Sequence, residues 1–437
     1  MKKTQIIKIL GLLLCFGMLT GCESRPTSVP ADQVETSSSA ESQTMEESIS
    51  KEESTESTST QEMESSEVEV VEDEIISFTI SATGDVSLGN LQIHGYEGTF
   101  NEMWDLQSPG YFFESVKEIF QADDMTIVNF EGVLTNTNKR VEKLYNIKGK
   151  PEYVQILVEG DVEAAAMGNN HRMDYGEEGL ADTVAALESV GIVYGYDDIL
   201  GYYEDEETGI KVGFVSVNEV YDETLVETYL KEGIEILKED QTVDLIFACC
   251  HWGDELDRYP NEYELNLGKQ CIDWGADLVL GHHPHVMQGI EEYKGRFIVY
   301  SLGNFCFGGN KNPKEKDTMI FQQTFTFVNG EKQEDQVIKV IPCTISSVSK
   351  RNDFQPTPVT GEDAIRVIDK INKYSKQFDL QFDYEGYPTI PEASQETTQP
   401  EAKENASQES EASKESNTSS GESAPQESQT SKDSSTD

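Results

Sequence analysis

The sequence predicts an α/β protein, and two observations carry the prediction. From residue 75 to residue 302, short β-branched apolar runs alternate with helical patterns. The alternation then stops. Two longer runs, Met319 to Phe327 and Gln336 to Ser346, read as an antiparallel pair with Asn329-Gly330 near the turn. One domain over residues 75–390, built on two packed sheets, accommodates both patterns.

Taken in order, Ile75 to Thr83 alternates and predicts a strand that stops at Gly84-Asp85. Residues 111–121 predict a short amphipathic helix, and Met125 to Asn129 a strand. Pro151 to Glu159 places Pro at the first helical position. Val162 to Met167 predicts a strand ending in Asn169-Asn170-His171. Glu177 to Val190 follows as a helix with Leu180, Val184, Leu187 and Val190 on one face, closed by Gly191. Ile192 to Tyr194, Val212 to Val217, Val243 to Cys250, Leu278 to Leu280 and Phe297 to Leu302 are further strands. Glu262 to Trp274 and Gly361 to Gln377 are helices.

The flanks have a different composition. Residues 23–74 hold 16 acidic residues against Arg25 and Lys51, and residues 391–437 hold 11 against three Lys. Such Ser/Glu/Thr-rich segments bury too little apolar surface to offset their ordering entropy, so both predict disorder. The formal charge of the chain is -49, and residues 75–390 are acidic as well. This argues against nucleic-acid binding. It also implies repulsion from a polyanionic partner unless a cation intervenes. Lys139-Arg140 and Lys148-x-Lys150 are local basic stretches that could relieve it.

Residues 1–22 read as an address. Lys2, Lys3 and Lys8 precede an apolar run, Ile9 to Thr20, too short for a comfortable membrane span. Leu19-Thr20-Gly21-Cys22 resembles a bacterial lipobox, which implies cleavage before Cys22 and lipid on that residue. Lipid chains would tether the protein to the membrane, with the acidic linker holding the domain away from it. The domain has five Cys: 249, 250, 271, 306 and 343. With an odd number and no Cys-x-x-Cys, buried thiols are expected rather than disulfides or a thiolate zinc site.

Six strand-like runs end in ligand-type residues: Asp85, Asn129/Glu131, Asn170/His171, His251/Glu255, His282/His283/His285 and Asn304. The chain has six His, and only His94 lies outside these turns. An open α/β sheet puts its chemistry at such strand ends. Mixed carboxylate, amide and imidazole donors suit Zn, Mn, Fe or Co. A metal with an open position makes a nucleophile from water at neutral pH, and a metal pair can clamp both oxygens of a phosphoester displacement. Each piece has a plainer reading too: Gly84-Asp85 as a turn, Asn129 and Glu131 as helix caps, Trp252 as packing, Asn304 as loop support. His283 and His285, two apart, share a face if the segment is extended. That favours them as ligands, with His282 behind.

Gly84-Asp85-Val-Ser-Leu-Gly, Asn129-Phe-Glu131-Gly, Asn169-Asn170-His171-x-x-Asp174-Tyr-Gly, His251-Trp-Gly-x-Glu255, Gly281-His-His-Pro-His-Val and Tyr300-Ser-Leu-Gly-Asn-Phe305 together resemble the successive motifs of the CapA family, bacterial capsule-synthesis proteins linked to poly-γ-glutamate. They occur in the family's order over residues 76–310. The family is similar in fold to calcineurin-like metallophosphoesterases. The resemblance implies an αββα sandwich of two mixed β-sheets flanked by helices, with a site for one or two divalent transition metals (Mn, Zn or Fe) between the sheets. It further implies Asp85, Glu131, Asn170, His251, His283 and His285 as metal ligands and His171 as the acid that protonates the leaving group. Asp174 would orient His171, and Asn129, Glu255, His282 and Asn304 would support the site or meet substrate. The phosphoesterase Asp-x-His is Asp85-Val86-Ser87 here, and its Gly-Asp is replaced by Asn129-x-Glu131. The implied role is a surface lipoprotein that makes, exports or anchors an anionic polymer. The alternatives are a phosphoesterase acting on nucleotides or phosphorylated wall precursors, and a non-catalytic scaffold for membrane subunits of a polymer synthase.

Overall fold

A computed structural model describes residues 73–220 and 224–389. The segments expected to carry the signal, Cys22 and both acidic flanks lie outside those residues, apart from Asp73 and Glu74. Among the described residues, no helix is long and apolar enough to cross a membrane.

Two sheets form the centre. The eight-stranded sheet runs Thr357–Pro358, Glu331–Thr344, Asp317–Val328, Ile75–Ser87, Met125–Phe130, Ala164–Ala166, Val193–Gly195, with Asn304–Phe307 beside the end of Ile75–Ser87. The six-stranded sheet runs Ile290–Tyr293, Arg296–Val299, Leu278–His282, Leu245–His251, Lys211–Asn218, Gly201–Glu204. In the six-stranded sheet parallel pairs occupy the middle and antiparallel pairs the edges; in the eight-stranded sheet antiparallel pairs form one side and parallel pairs run from Ile75–Ser87 to the other edge, so both sheets are mixed.

Alternation along each strand decides the layering. Ile127, Ala164 and Ala166 of the first sheet join Val212, Phe214, Phe247, Cys249, Leu278 and Leu280 of the second in one core between them. Their neighbours point outward. Val128, Phe130 and Ala165 pack with Leu187 and the Phe112, Phe113 and Phe120 rings. Val215, Ala248, Cys250 and Val279 pack with Leu230, Ile234, Leu237, Leu267 and Cys271 of the helices Val226–Glu239 and Glu262–Trp274. With both faces of both sheets covered, the central strands read as continuous apolar runs. The architecture is helix, sheet, sheet, helix, the expected αββα sandwich. The five Cys are buried free thiols.

Several elements differ from expectation. The first strand does not stop at Gly84-Asp85 but continues to Ser87. Asn304–Phe307 replaces Asp317–Val328 as its partner there, with a register shift between Asp85 and Ser87. Residues 111–121 split into a 3-10 turn, Pro109–Phe113, and a single turn, Lys117–Phe120. The strand within 162–167 is only Ala164–Ala166. The helix Gly176–Glu188 buries Gly179, Thr183, Ala186 and Leu187, and leaves Leu180, Val184 and Val190 half-buried. Small residues form its closest face because the helix lies tight on the sheet. Elements with no prediction include the helices Phe100–Leu106 and Val226–Glu239 and the strands Gly201–Glu204, Ile290–Tyr293 and Asn304–Phe307.

Candidate metal centre

Register brings the strand ends to one place. Asp85 lies opposite Asn129 on one side and Asn304 on the other, and Asn129 lies opposite Ala166. In the second sheet His251 lies between Asn218 and His282. The loops after these strands carry Glu131, Asn170, His171, His283 and His285.

At the centre, ligand atoms of Asp85, Glu131 and His285 lie within 4.8 Å of one another. His285 Nδ1 is 2.8 Å from Asp85 Oδ2, and its Nε2 is 3.9 Å from Glu131 Oε1. Asn129 Nδ2 donates to Asp85 Oδ1 at 2.8 Å and lies 3.3 Å from His251 Nδ1. His251 Nε2 in turn faces His283 Nδ1 at 3.1 Å. His282 Nε2 reaches the Thr83 carbonyl at 3.2 Å, and Asn304 Nδ2 donates to the His285 carbonyl at 3.1 Å. Trp252 is fully buried, donating to the Tyr300 carbonyl, and acts as packing.

His283 and His285 do not reach the site from an extended segment. Their φ values are 96° and 57°, so the chain turns left-handed on both sides of Pro284. Non-glycine residues adopt that region at a cost, and such outliers gather at functional sites.

His171 Nδ1 lies 2.8 Å from Asp174 Oδ2, so the neutral ring holds its proton there and presents Nε2 to Glu131 Oε1 at 3.7 Å. Asp174 is fully buried. It also accepts Ile147 N–H at 2.5 Å and pairs with Lys143 Nζ at 2.5 Å. Lys143 donates further to the Asn170 carbonyl at 2.8 Å. This lysine was not foreseen. No spacing rule ties it to Asp174, and only the fold of its loop makes the contact. A cleft of ≈ 330 Å³ opens beside the centre, and His171, His285 and Glu255 line it together with His94. The one His that the motifs leave out thus joins the others.

Burial pushes the Glu131 carboxyl up to about 8, against the pull of His285. Burial opposes charge on Asp85 as well, but the hydrogen bond and charge of His285 hold it below its ordinary value. Burial also opposes charge on His285, yet Glu131 and Asp85 together raise it to about 9. Burial lowers His171, His282 and His251, the last furthest because neighbouring imidazoles add to it. The same cause takes His283 down to about 4. The centre therefore combines neutral imidazoles at His171, His251, His282 and His283 with an ionised Asp85 and two proton carriers, His285 and Glu131, whose protons a cation would displace.

The donors fit such a cation. Both Glu131 carboxylate oxygens and Asn170 Oδ1 are buried without a hydrogen-bond partner. Orphaned buried acceptors are costly, and three of them here point to a missing positive charge. Among the described residues, Asp85, Glu131 and His285 form the one His/Cys/Asp/Glu cluster compact enough to hold a metal ion. His251 and His283 stand next to it, paired with each other.

The chain is similar to known proteins. It is 30% identical over 258 residues to the PGA biosynthesis protein CapA of Bacillus subtilis, covering 54% of this chain and 64% of that one, just under two thirds of the relative's length. It is 27% identical over 319 residues to the capsule biosynthesis protein CapA of Bacillus anthracis, covering 68% of this chain and 73% of that one. A crystal structure of TT1561 of Thermus thermophilus aligns at a TM-score of 0.33 and 13% identity, over 56% of this chain and 94% of that one. The fold rests on the layers described above, not on that match. The profile of the bacterial capsule synthesis protein PGA_cap family matches residues 79–309, which hold every candidate ligand. With more than half of the sequence matched, the chain belongs to the PGA_cap family.

Proposed function

We propose that this chain acts in capsule or poly-γ-glutamate synthesis, export or anchoring, through a metal-dependent, hydrolase-like site. The observation that carries the reading is the buried Asp85–Glu131–His285 cluster, with both Glu131 oxygens unpaired. The names of the relatives supply the capsule and polymer context. Asp85, Glu131 and His285 would hold the first ion, and Asn170, His251 and His283 would complete its shell or hold a second. Mn, Zn and Fe suit these donors. When bound, the metal supplies Lewis acidity and a water-derived nucleophile. His171 presents Nε2 to the centre, where it can take a proton and return it to a leaving oxygen or nitrogen. Asp174 fixes its tautomer. Asn129 orients Asp85, and Asn304 holds the His285 backbone. The substrate is an anionic polymer or a phosphorylated compound, with membrane subunits of a polymer synthase as partners. The domain works outside the cytoplasm, tethered through lipid on Cys22.

Metal analysis of the purified full chain tests the site. We expect one or two transition-metal ions per chain, lost in Asp85→Asn and His285→Ala, with polymer production falling in cells that carry either variant. A metal-free chain whose variants make normal polymer would leave only a scaffold. Mass spectrometry of the membrane fraction tests the anchor, and an unmodified Cys22 would refute it.

A further inference from the structure

The basic stretches expected to meet an anion have their side chains engaged elsewhere. Lys139 pairs with Glu178 at 2.8 Å, Lys150 with Asp105 at 3.4 Å, and Lys148 Nζ donates to the Thr137 carbonyl at 2.8 Å. Lys143, between them in sequence, turns toward the centre. Its Nζ lies 2.5 Å from Asp174 Oδ1 and donates to the Asn170 carbonyl at 2.8 Å. Asp174 Oδ1 is buried with no hydrogen-bond partner, and among the described residues only this ammonium pairs with it. The loop on either side fixes where the lysine sits. Val141 N–H donates to the Asp174 carbonyl at 2.9 Å, Asn146 Nδ2 donates to the same carbonyl at 3.2 Å, and Ile147 N–H reaches Asp174 Oδ2 at 2.5 Å. The Asn170 turn has a separate hold on the first sheet: Asn169 Nδ2 donates to the Phe130 carbonyl at 2.7 Å, and Asn169 Oδ1 accepts the His171 amide at 3.2 Å.

We propose that Lys143 is a positioning residue, whose single ammonium holds the turn carrying Asn170 and the carboxylate orienting His171 in one arrangement. The inference rests on the reading of Asn170 as a metal ligand and His171 as the proton donor. Asn170 Oδ1 is buried without a partner, so its aim is set by the backbone, and Lys143 holds that backbone by its carbonyl. Asp174 Oδ2 sets His171 Nδ1, and Lys143 holds the other oxygen of the same carboxylate. One cation thus fixes the spacing between a metal ligand and the proton donor. A neutral side chain of similar length, as in Lys143→Met, leaves a buried carboxylate oxygen unpaired and frees Asp174 to turn. The Asn169 contacts remain, so the turn stays on its sheet while Asn170 and Asp174 lose their common hold. Lys143→Arg keeps the charge and has donors for both acceptors.

Two measurements on the full chain test this, and one of them needs no metal. Magnetic resonance of the isotope-labelled imidazoles, in chelated protein, reports which nitrogen of the neutral His171 ring carries the proton, with His171→Gln assigning the signal. Titration with Mn, followed by electron paramagnetic resonance, reports metal affinity. We expect Lys143→Met to convert the single His171 tautomer into a mixture and to weaken Mn binding about tenfold. Lys143→Arg should match wild type in both, and Lys143→Gln serves as the neutral variant if Lys143→Met does not fold. Unchanged His171 signals and Mn affinity in the neutral variant would overturn the positioning role and leave the metal centre standing. Equal losses in Lys143→Arg and the neutral variant would overturn it too, reducing the lysine to packing. A wild type that binds no Mn, with the tautomer change still confined to the neutral variant, would refute the metal centre and keep the role of Lys143 toward His171.

Discussion

Asp174 Oδ2 receives His171 Nδ1 at 2.8 Å and Ile147 N–H at 2.5 Å, while its other oxygen meets Lys143. One buried carboxylate thus fixes a ring, a backbone strand and a lysine. Asp174→Asn keeps the shape but can hydrogen-bond the imidazole in the wrong sense. Hydrolytic turnover of a phosphodiester or γ-glutamyl probe should fall about 10- to 100-fold with little change in KM, the range for losing an orienting carboxylate. Asp174→Ala should also cost about 1–3 kcal/mol in urea unfolding, because the Ile147 amide loses its acceptor. Equal turnover in wild type and Asp174→Asn would show that the ring needs no orientation.

Glu131 separates a metal site from a merely acidic pocket. Burial raises its carboxyl to about 8, so the metal-free protein gains nothing from its charge near neutral pH. Glu131→Gln should therefore melt at or above wild type after chelation. Adding Mn at about a hundred times its Kd should stabilise wild type by about 2.7 kcal/mol and Glu131→Gln far less. Matching melting shifts in the two proteins would remove Glu131 from the ligand set.

The strand ends that carry the site are legible in the sequence, whereas the αββα layering comes from the family resemblance and not from periodicity. Asp85, Asn129, His251 and His282 end apolar runs, and parallel register then places them side by side. The Val226–Glu239 helix went unpredicted, because the many charges between Val226, Leu230, Ile234 and Leu237 dilute the signal of its apolar face. Lys143 and His94 are not legible either. Each acts from a loop whose path depends on tertiary contacts, and no periodicity links it to its partners. The left-handed turn at His283 and His285 is hidden for a related reason. Sequence patterns assume ordinary backbone regions, and functional sites depart from them.

Gly168 shows how tightly the two sheets are joined beside the centre. Its amide donates to Ser216 Oγ at 2.8 Å, and a Cβ there would sit 2.4 Å from the Ser216 backbone. The loop carrying Asn170 and His171 therefore rests directly on the second sheet. Gly168→Ala should force the two apart and cost about 1–3 kcal/mol by chemical denaturation. Metal affinity should weaken as well, since Asn170 and His171 move with the loop. Unchanged stability would mean that the strand end can shift without disturbing the core.

Far from the centre, Glu163 makes stability depend on pH. Its Oε2 accepts the Thr126 amide at 2.7 Å, beside Asp123, which accepts the Thr126 hydroxyl at 2.9 Å. Burial raises Glu163 to about 8 and Asp123 to about 7. The ordinary glutamate value is 4.5, so between these limits the folded chain holds a proton that the unfolded chain releases. The contribution of Glu163 is complete below its unfolded pKa and is lost as pH rises through the folded one. Glu163→Gln keeps an oxygen for Thr126 and removes the titration. The melting temperature of the variant should match wild type near about pH 5 and exceed it increasingly toward about pH 9. Asp123 continues to titrate in both proteins, so the difference between them isolates Glu163. Parallel melting curves across that range would show that Glu163 is ionised in the folded protein and that its burial is compensated.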